Sequence, residues 1–374
     1  LATILLVGAG LLVQSLQRLE GVPLGFEPSR ITTAMMGLRQ GRFNQAGEAW
    51  AGFYKELLDR LAAQPGVQAV ALSSGAPFGG GNTGMPINGV GENAMGGAPL
   101  QTDWRMVSPD YFKAMRIPLL RGRYFVTSGQ TDAQTIIVSA TMARRMWGDV
   151  DPLGRQIQAG PNGVFTVVGV VGDVRNLDLS LTPSPTMYLS SARFVWPTMT
   201  IIVRAGEEAQ APALIRQTVR AMDPQLAVYN IREMTDLIEQ SAAQPRLNAS
   251  LISLFALIAA LLAALGIYGV LAYLVSQRSQ EIGIRMALGA SRPAVLRLFL
   301  ARGLWLAVAG LVIGVLGSIG VSRWIGSLLF EMQARDPLTI AAAVIVVAAV
   351  TLLASYIPAR RATRVDPLIA LRAE

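Results

Sequence analysis

The stretch Leu247–Gln277, LNASLISLFALIAALLAALGIYGVLAYLVSQ, runs 31 residues without a charged side chain. Wound as a helix it would be about 46 Å long, against a bilayer hydrocarbon core of about 30 Å. It is therefore predicted to cross a membrane and to project beyond it, into the soluble part of the chain that precedes it. The composition agrees. Of 374 residues 52% are hydrophobic and 15% charged, and the mean hydropathy is positive, which is unusual for a purely soluble protein.

On the C-terminal side follows QRSQEIGIRMALGASRPAVLRL, Gln277–Leu298, with Arg278, Arg285, Arg292 and Arg297 against the single acid Glu281. That asymmetry places it on the cytoplasmic face. Ile282, Arg285, Met286 and Gly289 follow helical spacing, so a short amphipathic helix is predicted along the membrane surface, stopped at Gly289. Ser291 and Pro293 suit the cap and first turn of the next helix. On the residues alone, a basic loop of this kind serves equally as a plain topology anchor.

Two more spans are predicted at 303–322 and 337–359. The first carries Gly310 and Gly314 in GxxxG spacing, which suits close helix packing or the general tolerance of membrane helices for glycine. The loop 323–336 is charge-balanced and belongs on the far side. The tail, with Arg360, Arg361, Arg364 and Arg372, returns to the cytoplasm. At the other end LATILLVGAGLLVQSLQ has no charge before Arg18, and residues 1–17 are expected to be the remnant of a first membrane helix. The expected fold class is thus a membrane protein: a bundle of four helices, the first truncated, with spans at 248–276, 303–322 and 337–359. A large α+β domain, 18–247, lies outside the cytoplasm.

The net charge of +8 raises the question of nucleic acid. Residues 18–246 carry 21 basic and 19 acidic side chains, whereas the membrane-flanking remainder carries 11 Arg against 5 acids. The excess is a positive-inside pattern facing lipid, and no nucleic-acid partner is expected. Absence of Cys and His removes thiolate chemistry, the commonest metal ligands and the commonest general base. The Gly-rich stretch Ser73–Gly97 contains no Lys. The two lysines of the chain, Lys55 and Lys113, follow Tyr54 and Phe112, so no phosphate-binding P-loop is present. Asp149 and Asp151 begin like a calcium loop, but Leu153 and Gly160 occupy later ligand positions and leave a turn. No catalytic residue, metal site or cofactor is assigned, and the chain is not expected to be an enzyme.

Within 18–247, the residue patterns predict a strand at 31–38, a helix at 48–63 and a strand at 67–72, then a strand at 199–204, a helix at 211–222 and a strand at 226–231. These are two βαβ-like units, expected as two halves of one subdomain. The Ser73–Gly97 stretch is expected to be a mobile connection. An inserted mixed lobe follows at about 101–195, with a helix at 108–115 capped by Ser108 and Pro109, a strand at 136–138, a helix at 140–147 and a strand at 164–171. Asp173, Arg175 and Asp178 are expected in a solvated loop or at an interface rather than in a catalytic cluster.

EIGIRMALGAS resembles the cytoplasmic coupling segment of FtsX-like and MacB-like ABC transporter permeases. VSPDYFKAMRIPLLRGRYF, DPLGRQI and FTVVGVVGDVR are similar to the MacB-type periplasmic core domain, and ARRATRVDPLIALRAE looks like the end of an FtsX-like permease. The resemblance covers nearly the whole chain. It implies a permease subunit of the mechanotransmission class in a bacterial inner membrane, driven by a separate ABC ATPase that binds the ATP. Glu281, Ile282, Gly283, Arg285, Met286, Ala287, Leu288, Gly289 and Ala290 would form the coupling segment. It also implies a second permease half, either a second copy or the other half of a tandem duplication, and a periplasmic adaptor as a further partner. The alternative is a membrane regulator or scaffold that controls an outside partner such as a cell-wall hydrolase.

Overall fold

A computed structural model describes residues 2–38, 48–80, 83–89, 99–126, 132, 134–159, 163–191, 195–206, 210–277, 308–317, 320 and 337–362. It divides into a β-rich unit, Val22–Ala242, and a helical unit made of Leu1–Gly21 and Ala243–Glu374.

In chain order the β-rich unit has β1 (Ile31–Gly37), β2 (Val67–Ser73), β3 (Thr83–Gly89), β4 (Leu100–Val107), β5 (Leu119–Gly122), β6 (Thr135–Ser139), β7 (Gln156–Ala159), β8 (Val164–Val171), β9 (Thr186–Ser190), β10 (Thr198–Ala205) and β11 (Val228–Glu233). The helical unit begins with α1 (Ala2–Glu20); α2 (Glu48–Ala62), α3 (Tyr111–Met115), α4 (Ala140–Trp147) and α5 (Ala211–Met222) belong to the β-rich unit. There follow α6 (Met234–Gln277), α7 (Val308–Gly317) and α8 (Pro337–Ala362).

The two βαβ units interleave. β10 lies between β1 and β2, antiparallel to both, and β1 lies between β10 and β11. The order β11-β1-β10-β2 is a split βαβ arrangement, in which each unit leaves room for a strand of the other. Trp50, Tyr54, Leu57 and Leu61, spaced by four, three and four, put one face of α2 into the core on this sheet, and Ala211, Ile215 and Val219 do the same for α5. β11 starts at Val228, two residues later than predicted, and it is an edge strand with a bulge against β1.

Six of the seven strands between β2 and β10 make a closed circuit, and the seventh, β5, pairs β8 alone. β4 pairs β3, β3 pairs β7, β7 pairs β8, β8 pairs β6, β6 pairs β9, and β9 returns to β4. Alternation sorts its side chains. Ile136, Val138, Met187 and Leu189 enter a core shared with α4, while Ile137 and Tyr188 enter a different core that also holds α3, Ile31, Ala71 and Ile202. That second core binds the closed circuit to the free face of the split βαβ sheet.

Four details differ from the sequence-based expectation. Part of the Gly-rich stretch is a core strand, β3, whose Ile87 is buried; pairing on both edges overrides its weak local propensity. α3 begins at Tyr111 with Asp110 at its cap. Ser108 does not cap it, because its hydroxyl accepts the Leu72 N–H at 2.9 Å and so ties β2 to the chain after β4. Nor are Asp173 and Arg175 solvated. Asp173 accepts the Thr141 N–H at 2.6 Å and the Thr141 hydroxyl at 2.8 Å at the start of α4, where negative charge suits the helix dipole. Arg175 is buried and donates to the carbonyls of Leu179 and Leu181. Asp178 is half-buried and closes a local turn with Ser180. The Asp149–Asp151 segment is a turn, with Asp151 accepting the Leu153 N–H at 3.2 Å.

Candidate functional site

The segment singled out for coupling, Glu281–Ala290, lies outside the described residues. What flanks it on the N-terminal side is α6, and α6 takes part in both units by sequence. Its first turns, Met234 to Ala242, belong to the β-rich unit. Met234 is fully buried and Leu237 nearly so, in the same core as Tyr111, Phe112 and Tyr188, with Ile238 packed against them. Asp236 in the first turn complements the helix dipole. The helix continues through Pro245, whose ring removes one backbone donor, into the uncharged stretch of the helical unit.

The core that receives Met234 is surrounded by ordered polar contacts. Arg204 is 2% exposed and donates to three carbonyls, those of Ala114 at 2.7 Å, Ser29 at 2.8 Å and Glu27 at 2.7 Å. Burial, more than any neighbour, holds its pKa below the ordinary guanidinium value. The Glu27 carboxylate is held below the usual range by its bond to Arg116 and then by the Ser29 hydroxyl. Tyr111 and Tyr188 are buried and pushed up, mainly by desolvation. Gly25 passes so close to the Asp173 carbonyl that a Cβ would lie 1.8 Å from its oxygen, at a φ of +82°. These contacts fix the segment before β1 and the segment after β8 around α3.

In the helical unit α1 is the spine. Val7, Leu11 and Leu12 share a core with Ala249 of α6 and Ala343 of α8. Three glycines set the approach: a Cβ on Gly314 would lie 2.6 Å from Thr3 Cβ, one on Gly317 2.9 Å from Ile4 Cδ1, and one on Gly10 2.7 Å from Thr339 Cγ2. The Thr339 hydroxyl donates to Gln14 Oε1 at 2.9 Å, a polar tie between α1 and α8. Of the two glycines named from sequence, Gly314 packs against α1, whereas Gly310 meets nothing within 4 Å and stands on the wall of a hollow. Gly10 and Gly317 carry no such sequence signal, because neither completes a GxxxG with a glycine at the right distance. Glu20 pairs with Arg246 at 2.9 Å where α1 ends and α6 enters this unit; both are half-exposed.

α1 and α6 are long and apolar enough to cross a membrane, and shorter apolar helical stretches run Val308–Gly317 and Ala341–Ile357. Along α6, Leu254, Phe255, Leu261, Leu262 and Leu265 are more than half exposed, a face suited to hydrocarbon. Among the described residues, no group of three or more carboxylates is placed to hold a metal ion.

The comparisons with known proteins fall on the same two parts of the chain. Residues 1–221 match the MacB-like periplasmic core domain, and residues 253–367 match the FtsX-like permease C-terminal region. A macrolide export ATP-binding/permease protein MacB of Wolinella succinogenes is 27% identical over 285 residues, which is 73% of this chain and 44% of that protein. A probable syringafactin export ATP-binding/permease protein SyfD of Pseudomonas syringae pv. tomato is 30% identical over 284 residues, 71% of this chain and 41% of that protein. The chain spans less than half the length of these curated relatives. The crystal structure of the periplasmic region of MacB from Actinobacillus actinomycetemcomitans superposes with a TM-score of 0.39 at 13% identity, covering 58% of this chain and 93% of that one. With a family match over more than half its length and a second over most of the rest, the chain belongs to the family of MacB-like periplasmic core domain proteins with an FtsX-like permease region, membrane proteins that carry a domain outside the cytoplasm.

Proposed function

We propose that this chain is the permease subunit of an ABC transporter complex of the mechanotransmission type. A separate ATPase binds and hydrolyses the ATP, and the chain turns that cycle into a change of shape outside the membrane, in the service of efflux or export. The names of the relatives pair ATP binding with permease and export activity, which supports both the motor and the direction of transport.

The observation that carries this reading is α6. It is one helix from Met234 to Gln277, with its first turns buried in a core of the β-rich unit and its last residue at the start of the basic cytoplasmic loop. A helix resists stretching along its axis, so displacement of Glu281–Ala290 by the motor would reach Met234 and Leu237. Four spans are proposed, with residues 18–247 outside the inner membrane of a bacterium and the loop and tail inside. The partners are the ATPase at Glu281–Ala290, a second permease half, which is a second copy or a tandem half, and a periplasmic adaptor. No substrate needs to pass between the helices, since none of the proposed spans has a charged residue at its middle to line an ion path.

The test is a pull-down of the full-length protein from membranes, with and without Met286→Glu, together with ATPase assays of reconstituted complexes carrying Gly283→Arg or Ala287→Glu. Recovery of an ABC ATPase that is lost with Met286→Glu, and loss of ATPase stimulation in the other two with the outer domain still folded, is the expected result. Unchanged stimulation in both variants would refute the assignment of the coupling segment.

A further inference from the structure

Three buried polar atoms of the β-rich unit find no hydrogen-bond partner among the described residues: the hydroxyls of Tyr111 on α3 and Tyr188 on β9, and Asn176 Oδ1 in the segment after β8. Tyr111 and Tyr188 are 0% exposed and Asn176 5%. They are gathered in one place. The two tyrosine rings lie 6.0 Å apart, and the Asn176 amide donates to the Thr186 hydroxyl at 3.4 Å, two residues before Tyr188 and on the same face of β9. On that face β4 sets Arg105 directly beside Tyr188, with its guanidinium donating to the Gly75 carbonyl. From this juxtaposition we infer that the three atoms share a buried water site, a single molecule or a short chain, in the core that also receives the head of α6.

The chemistry of the three atoms selects the occupant. A buried polar group without a partner loses its hydration and gains nothing in return, and native interiors leave few such groups. Neither ring is free to turn away, because Phe112 packs edge-on against both, at 5.5 Å from Tyr111 and 5.1 Å from Tyr188. The Thr186 hydroxyl donates to the Ser184 carbonyl at 3.0 Å, so towards Asn176 it can only accept. That settles the amide: Nδ2 faces Thr186, and Oδ1 is left in need of a donor. Each tyrosine hydroxyl, in contrast, brings a proton in need of an acceptor. An anion would serve the tyrosines and be repelled by Asn176 Oδ1; a metal cation would do the reverse. Water both donates and accepts, and a buried water takes two to four polar partners. α3, β9 and the segment after β8 are then joined through solvent as well as by apolar packing. The inference is separate from the transmission role and does not rest on it.

The test uses the full chain in detergent and has two parts. A density map fine enough to show ordered solvent should place water within about 3.2 Å of the Tyr188 hydroxyl and of at least one of the other two atoms. Tyr111→Phe and Tyr188→Phe each delete one oxygen and keep the ring. With water joining the hydroxyls, each variant breaks a satisfied bond, and hydrogen exchange of peptides from α3 and β9 should quicken about fivefold. The double variant should quicken it by less than the product of the two, since both hydroxyls serve one site. Bare hydroxyls predict the opposite sign, because removing an orphaned buried group stabilises the fold and slows exchange. Slower or unchanged exchange in either variant, or effects that multiply in full, would overturn the inference. So would a map without solvent at these atoms, or with both hydroxyls turned onto protein carbonyls. A peak that exchanges for bromide would overturn it too, by making the occupant an anion. Should a variant fail to fold, the map of the parent decides.

Discussion

If α6 takes its outer anchorage from the buried core around α3, then Met234→Ala should loosen the head of that helix before it disturbs anything else. Met234 is fully buried, at 0% exposure, in the core that also holds Tyr111, Phe112, Ile202 and Leu237. Truncating a fully buried Met to Ala removes its transfer energy and leaves a cavity, a cost of about 3 kcal/mol. At 1.4 kcal/mol per factor of ten, local opening of the first turns of α6 becomes on the order of 100-fold more frequent. Hydrogen exchange of the detergent-solubilised full chain, read by mass spectrometry, measures this directly. Peptides covering 234–242 should exchange about 100-fold faster, while peptides of α2 and α5, which pack in a separate core, keep their rates. In a reconstituted complex the same variant should retain ATPase activity but lose the response of the outer domain. The reasoning fails if 234–242 exchanges as before, or if α2 and α5 accelerate by the same factor, since either result would mean that the helix head is not held by this core as a separate element.

Three further outcomes follow from the same contacts. Gly25→Ala should destabilise the β-rich unit by about 3 kcal/mol or more, because the position combines a φ of +82° with a Cβ 1.8 Å from the Asp173 oxygen; a melting temperature within 2 °C of the parent, or roughly that, would contradict it. Burial pushes the Asp132 carboxyl up, but Arg123, the Val126 N–H and Thr135 outweigh it and hold the pKa below 3.8, so its contribution is complete above the unfolded value and lost as pH falls through the folded one. Asp132→Asn should cost about 2 kcal/mol at pH 7 and flatten the loss of stability below pH 4 or so, which denaturant titrations across that range would show. Gly314→Leu should lower the melting temperature of the solubilised chain through overpacking against Thr3, at about 1–3 kcal/mol, whereas Gly310→Leu, with nothing within 4 Å, should be tolerated.

The sequence by itself determined the class of protein and most of its local structure. An uncharged run of the length of 247–277 is long and apolar enough to cross a membrane, and the Arg asymmetry around it sets the expected orientation, because both signals depend only on solvation of side chains. Helical periodicity placed α2, α5 and α4 to within a residue, since each buries one stripe against one sheet. Tertiary structure alone decided the rest. That the two βαβ units interleave, with β10 seated between β1 and β2, is invisible to a local pattern, because pairing partners are set by contacts more than a hundred residues apart. The same holds for β3, which only its two neighbours make into a strand, and for Ser108, whose hydroxyl serves β2 and not the helix beside it. The hollow among α1, α6, α7 and α8 is the plainest case. Small residues recur in every membrane helix, and only the packed arrangement separates Gly314, pressed against Thr3, from Gly310, whose missing side chain leaves a space.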